Sequence, residues 1–227
     1  MSGEHAERRR GNLYGRRKGP KLSAHQEQLL QTLLPKLTLD IRSGADPREY
    51  FDSVDDVWLE VGFGAGEHLY WQAQHHPRIG LIGAEPFVNG VAKLLSKFEG
   101  EPPHNIRLHM GDARQIIDAL PDASLGRVFV LFPDPWPKTR HHKRRFIQTE
   151  MLNTLARVMK PGAELRFGSD DAPLVEYTLE RVMAHPDFAW TAARAEDWRS
   201  RPADWPQTRY EAKQLHGVPA FLRFVRR

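Results

Sequence analysis

Val57-Trp58-Leu59-Glu60-Val61-Gly62-Phe63-Gly64-Ala65-Gly66 joins an apolar run of strand length to three alternating glycines, and residues 67–76 behind them carry apolar side chains at helical spacing. A strand that turns through glycine into a helix is the unit from which parallel sheets are built. The unit recurs downstream. Strands are expected at Ile79–Ala84, Ile106–Met110, Val128–Phe132 and Ala163–Phe167, with helices at Phe87–Phe98, Ala113–Leu120 and Arg144–Met159. Pro161-Gly162 is expected to stop the last of these helices. A helix over Asp171–Met183, a strand over Phe188–Ala192 and a loosely alternating Val218–Val225 complete the pattern, and 194–209 reads as a loop. Continuous apolar strands predict a parallel sheet covered by helices on both faces. Trp58, Trp71 and Trp190 fall inside these elements and read as core.

Upstream, Ser23 to Leu34 reads as a short helix capped by Ser23. Before it, residues 1–21 carry Arg8, Arg9, Arg10, Arg16, Arg17, Lys18 and Lys21 against Glu4 and Glu7, interrupted by Gly11, Gly15, Gly19 and Pro20. We read 1–22 as a flexible basic arm suited to a polyanion and 23–227 as a single domain. The 227 residues hold 40% hydrophobic and 27% charged side chains and no cysteine. That composition excludes a disulfide framework, a thiolate metal site and a cysteine nucleophile. No apolar run reaches the roughly 18 residues of a membrane span, so a cytoplasmic protein is expected. The adjacent pairs His75-His76 and His141-His142 lack the spacing of a metal site, and no metal is expected.

Ligands of an open parallel sheet bind at the carboxyl ends of its strands. Gly62, Gly64 and Gly66 sit at the first such end, Glu85 at the second, about twenty residues on, and Asp112 at the third. A carboxylate at Glu85 suits ribose hydroxyls, and one at Asp112 suits the amine of an adenine, although strand-end acids also cap helices. The G-x-G-x-G spacing differs from the G-x-G-x-x-G of pyrophosphate sites, and Glu60 and Glu67 flank the loop. Negative charge there favours the cationic nucleoside S-adenosylmethionine over a nicotinamide dinucleotide.

At the fourth strand end, Phe132-Pro133-Asp134-Pro135-Trp136-Pro137-Lys138 sets one carboxylate, one indole and one ammonium on a proline-stiffened loop. Arg140, Lys143, Arg144 and Arg145 follow, placed to hold RNA phosphates, and Trp136 either stacks on a base or packs the loop. A non-catalytic RNA-binding protein and a small-molecule methyltransferase are the rival readings. The four intact acids argue against the first, and the basic segments against the second.

These residues, with Ser169-Asp170 and Thr208-Arg209-Tyr210-Glu211-Ala212-Lys213, resemble the bacterial tRNA (guanine-N7)-methyltransferases, from Tyr14 onward. The resemblance implies a Rossmann-like class I methyltransferase fold, a seven-stranded, mostly parallel sheet whose last strand is antiparallel. It implies S-adenosylmethionine as donor and tRNA as partner, with methylation of N7 of the variable-loop guanine at position 46 by a monomer or homodimer. Glu60, Gly62, Gly64, Gly66, Glu85, Asp112 and Asp134 would border the donor, with Asp134 catalytic. Lys138, Asp170, Thr208, Arg209, Tyr210 and Glu211 would contact the guanosine. Two departures stand out. Pro86-Phe87 follows Glu85, and Asp171 follows Asp170, leaving open which of the two aspartates faces the base.

Overall fold

The computed structural model describes residues 17–98, 101–213 and 215–227, so Arg8, Arg9, Arg10 and Arg16 of the basic arm lie outside the described residues. Seven strands form one sheet: β1 (Asp56–Val61), β2 (Ile79–Ala84), β3 (Ile106–His109), β4 (Leu125–Leu131), β5 (Met159–Ser169), β6 (Phe188–Trp190) and β7 (Ala220–Arg226). Their order is β3-β2-β1-β4-β5-β7-β6; β1 to β5 pair in parallel, and β7 runs antiparallel to both neighbours. Strand order reverses between β1 and β4, and a crevice at that switch point is where such sheets bind ligands.

Alternate residues of each central strand enter opposite cores. Val57, Leu59, Val128 and Val130 pack with Ile116, Leu152, Leu155 and Val182 on one face. Trp58, Phe129 and Leu131 pack with Leu69, Leu94, Leu95 and Trp205 on the other. The helices supplying those layers are α3 (Glu67–His75), α4 (Val88–Leu95), α5 (Ala113–Ala119), α6 (Thr149–Val158) and α7 (Ala172–Ala184), preceded by α1 (Ala24–Thr32) and α2 (Leu34–Leu37). Ser23 closes a capping box on α1. Among the described residues no helix is long and apolar enough to cross a membrane.

Four expectations are corrected. Where the pattern predicts a helix from Arg144, residues Thr139–Arg144 form a 3-10 turn and α6 begins at Thr149. Gln148 separates them, its amide donating to the carbonyls of His142 and Arg145 at 2.7 and 3.1 Å. Pro161-Gly162 stops no helix: both residues lie within β5, where its register against β4 shifts. Proline lacks the ladder N–H, so within a strand it belongs at such a bulge. The expected loop 194–209 contains α8 (Glu196–Arg199) and leads into α9 (Arg209–Lys213). Trp205, left in that loop by the sequence pattern, is 1% exposed. Trp71 is instead half-buried and stacked on His75, with ring centroids 3.8 Å apart.

The end of the basic arm is anchored. Gly19 N–H donates to Asn89 Oδ1 at 2.7 Å, Asn89 Nδ2 donates to Pro20 O at 2.8 Å, and Val88 N–H to Arg17 O at 3.2 Å. Residues 17–20 are therefore held against the start of α4.

Candidate active site

Because β1 to β4 are parallel, their carboxyl ends open into one cavity of about 450 Å³. Its lining includes Glu60, Gly62, Gly64, Glu85, Asp112, Asp134, Thr208 and Tyr210 of the residues expected from the sequence. Gly66 is not among them. It caps α3 in a left-handed conformation (φ 73°), and a Cβ there would fall 2.6 Å from Leu94 Cδ1. Its service is to let the helix pack. Gly64 (φ 58°) meets a second constraint from α4, where a Cβ on Gly90 would lie 2.3 Å from the Gly64 carbonyl oxygen. Two elements thus approach backbone to backbone at the cavity floor, which only glycine allows.

The carboxylates are fixed by the protein itself. Glu85 accepts from Gly64 N–H through Oε2 at 2.7 Å and from Phe87 N–H through Oε1 at 2.8 Å. The loop amide that would meet a phosphate is therefore already bonded to a carboxylate, and Glu60 and Glu67 also line the cavity. At the glycine loop this arrangement disfavours a pyrophosphate and fits a cationic nucleoside. Burial holds the Glu85 carboxyl above its ordinary range, against the pull of those two amides. Asp112 caps α5: Oδ1 accepts from Arg114 N–H at 3.0 Å, and Oδ2 pairs with the Arg114 guanidinium at 3.0 Å. Glu60 is 2% exposed and bonded through Oε2 to His68 Nδ1 at 2.7 Å.

The proline loop is held in an uncommon shape. Phe132 and Trp136, which bracket Pro133-Asp134-Pro135, both adopt positive φ (48° and 46°). Such residues persist where their surroundings over-determine them, at roughly 1–2 kcal/mol each. Arg145 supplies part of that determination. It is 3% exposed, donates from Nε to Pro135 O at 2.9 Å, and lies 4.3 Å from the Tyr177 ring centre. This corrects its expected place among the phosphate-facing cations: the guanidinium is buried as a loop anchor. Arg144 lines the cavity with its guanidinium 4.8 Å from the Trp136 ring centre, whereas Lys138, Arg140 and Lys143 are exposed. Asp134 faces the cavity and solvent, yet the protein around it desolvates the carboxyl enough to push it upward.

The remaining expected residues divide. Tyr210 lies over the glycine loop, since a Cβ on Gly64 would come 3.3 Å from its ring. Thr208 Oγ1 accepts from Glu211 N–H at 3.2 Å. Glu211 is buried beside Arg201, its Oε1 3.0 Å from Nε, and burial raises its carboxyl despite that partner. Asp171 caps α7 through Leu174 N–H at 2.8 Å, while Asp170 accepts from His216 N–H at 3.1 Å. The alternative left open by the sequence therefore has a structural asymmetry: Asp171 is committed to a helix. Lys138, Asp170, Arg209 and Glu211 are not part of the cavity wall. Arg114, which lines the cavity, and Gly90, which packs on Gly64 behind it, belong to the site without having been singled out in the sequence. Of these, Gly90 carried a signal, a lone glycine inside a helical pattern.

Comparison with known proteins agrees with this geometry. A family model described as "putative methyltransferase" matches residues 55–219. The chain is 53% identical to a tRNA (guanine-N7)-methyltransferase of Rhodospirillum rubrum, covering 95% of this chain and 88% of that protein. A second of the same name, from Brucella anthropi, is 46% identical with 98% of each chain covered. Among solved structures, the 16S rRNA methyltransferase KamB superposes with a TM-score of 0.58 over 82% of this chain and 96% of that one. At 19% identity it speaks for the fold alone. With a seven-stranded methyltransferase sheet, an acid-lined crevice at its switch point and relatives this similar along nearly the whole length, the chain belongs to the tRNA (guanine-N7)-methyltransferase family.

Proposed function

We propose that this protein transfers the methyl group of S-adenosylmethionine to N7 of the variable-loop guanine at position 46 of tRNA. The observation that carries the reading is the cavity floor, where Glu85 occupies the glycine-loop amide and sets carboxylates, with Glu60 and Glu67, around the place for the ligand's charge. When bound, the donor supplies an electrophilic methyl on a sulfonium.

The protein's own tasks are to hold, align and neutralise. Glu85 keeps lone pairs beyond its two backbone bonds for ribose hydroxyls, and Asp112, steadied by Arg114, keeps acceptor capacity for an adenine amine. Guanine N7 carries an in-plane lone pair, so no general base is assigned, and alignment of the reactants supplies several kcal/mol. The purine gains positive charge in the reaction, and the Asp134 carboxylate, on its stiff loop, stabilises it. Thr208 and Tyr210 close one side of the cavity. Glu211 and Asp170, with acceptor oxygens left over, suit the N1–H and amino group of the base. Lys138, Arg140, Lys143 and the arm hold phosphates.

The test is transfer of labelled methyl to unmodified tRNA, followed by borohydride reduction and aniline cleavage, which cuts at N7-methylguanosine. A single variable-loop cut is expected; label without a cut would move the target atom, and no label would refute the reading.

Two further outcomes are expected. Exchange of Lys138, Arg140 and Lys143 to alanine lowers the salt dependence of tRNA affinity by roughly 0.7–0.9 in log–log slope for each phosphate no longer neutralised, measured by filter binding at several salt concentrations. Unchanged slopes would place the phosphates elsewhere. Donor affinity also falls as pH is lowered from neutrality into the range, above that of ordinary Asp and Glu, where the raised carboxyls take up protons. A cationic ligand favours the ionised carboxylates, and the raised Glu85 and Asp134 take up protons first. The sign for stability is opposite. Where a folded-state carboxyl lies above its unfolded value, the folded chain binds more protons, so its stability contribution declines as pH rises through that window. Calorimetric titration of the donor reads the first effect and urea unfolding the second.

A further inference from the structure

A file of buried polar groups crosses the apolar face of α3. His68 and Gln72 stand one turn apart and are 1% and 0% exposed, among Leu69, Phe129 and Trp205. His68 Nδ1 lies 2.7 Å from Glu60 Oε2, Gln72 Nε2 lies 3.1 Å from His68 Nε2, and the same Gln72 nitrogen donates to the carbonyl of Asp204 at 2.8 Å. The proton placement follows from these partners. A backbone carbonyl only accepts, so the Gln72 amide nitrogen must face it. That nitrogen's second hydrogen then goes to His68 Nε2, which accepts, and His68 Nδ1–H donates to Glu60. One arrangement satisfies every link.

The ends of the file are what give it meaning. Glu60 lines the donor cavity, and its Oε1 has no hydrogen bond within the protein among the described residues. Asp204 begins the segment that runs into Thr208 and Tyr210, which form the opposite wall. That segment is stiff. The Asp204 carboxylate pairs with Arg166 at 2.8 Å and Arg127 at 3.6 Å, and Trp205 packs so closely on β5 that a Cβ on Gly168 would lie 2.9 Å from the indole. Apolar side chains would fill the same space without the desolvation that three buried polar groups require.

We infer that His68 and Gln72 are positioning residues that couple occupation of the donor cavity to the placement of residues 204–211, so that donor and tRNA each tighten the binding of the other. This rests on the donor and substrate reading above. Coupling of this kind is reciprocal and commonly amounts to about 5–150-fold in affinity.

The experiment measures the dissociation constant of a non-transferable amine analogue of S-adenosylmethionine with and without saturating unmodified tRNA. In the unmodified protein the ratio of the two constants is expected to exceed about fivefold. Gln72→Met keeps the volume and removes both donated bonds, and is expected to bring the ratio close to one. A uniform loss of fold or affinity would leave the ratio unmoved, which separates positioning from mere structural support. A ratio near one in the unmodified protein, or an undiminished ratio in Gln72→Met, overturns the inference. Should Gln72→Met fail to fold, hydrogen exchange of the unmodified protein decides. Residues 202–207 do not line the cavity, and they are expected to gain protection when the analogue alone is added; no gain overturns the inference. If the unmodified protein binds neither analogue nor tRNA, it is the functional reading itself that fails.

Discussion

Asp134→Ala is expected to lower methyl transfer to tRNA by about 10²–10³-fold, the range for removing one preorganised electrostatic group from a transition state. The geometry isolates the effect. Asp134 makes no hydrogen bond or ion pair within the protein among the described residues, so its removal leaves no buried partner unsatisfied. The prolines and Arg145 that shape the loop remain, and the melting temperature should move by no more than a surface substitution commonly moves it, about 0.5 kcal/mol of stability. The cations proposed to hold phosphates, Lys138, Arg140 and Lys143, lie on or just before the 3-10 segment and are exposed, so tRNA affinity is expected to be retained. Single-turnover transfer, filter binding and thermal melting on the same preparation separate the three quantities. An unchanged rate would remove Asp134 from the mechanism, while a lost rate accompanied by lost tRNA binding would recast it as a binding group.

That Asp134, Glu85, Asp112, Gly62 and Gly64 could be placed at one crevice from the sequence has a topological cause. Parallel strands bring all their carboxyl ends to one edge, so residues scattered from 60 to 134 collect in one crevice once the strands are recognised. Strand limits were legible for the same reason: Ile79–Ala84 is a buried apolar run bounded by polar turns. Contacts between residues far apart were not legible. Arg145 looks like one more cation in a basic run, and only its bond to Pro135 and its seat on Tyr177 distinguish it from exposed Lys143. His68 and Gln72 read as the polar side of an amphipathic helix until Asp204, 132 residues further along the chain, is found bonded to Gln72. Trp205 reads as loop because its partners, Gly168 and Phe221, come from β5 and β7. Pro161-Gly162 carried a helix-stop signal that the pairing of β4 with β5 overrode.

Gly90→Ala is expected to weaken donor binding at least tenfold, although alanine is the better helix former and would by propensity alone stabilise α4 by up to about 1 kcal/mol. The opposition of the two effects makes the prediction sharp. Gly90 lies inside α4, where it has no need of unusual backbone angles. What it provides is room: the added Cβ would stand 2.3 Å from the carbonyl oxygen of Gly64 and 3.4 Å from Glu85 Cγ. A backbone oxygen cannot rotate aside as a flexible side chain does, so either α4 retreats or the glycine loop moves into the cavity. Retreat of α4 would open the Leu94 packing against Gly66 and disturb Gly19 and Pro20, which are bonded to Asn89 on the same helix. Movement of the loop would break the Gly64 N–H bond to Glu85 and shift the carboxylate proposed to hold the ribose. Overpacking of this kind commonly costs about 1–3 kcal/mol, more than helix propensity returns. Calorimetric titration of the donor, paired with urea unfolding, tests both halves: a large loss of affinity with a modest loss of stability is the expected pattern. Wild-type affinity with raised stability would mean that α4 yields freely, and that the close approach of Gly90 to Gly64 does not shape the donor site.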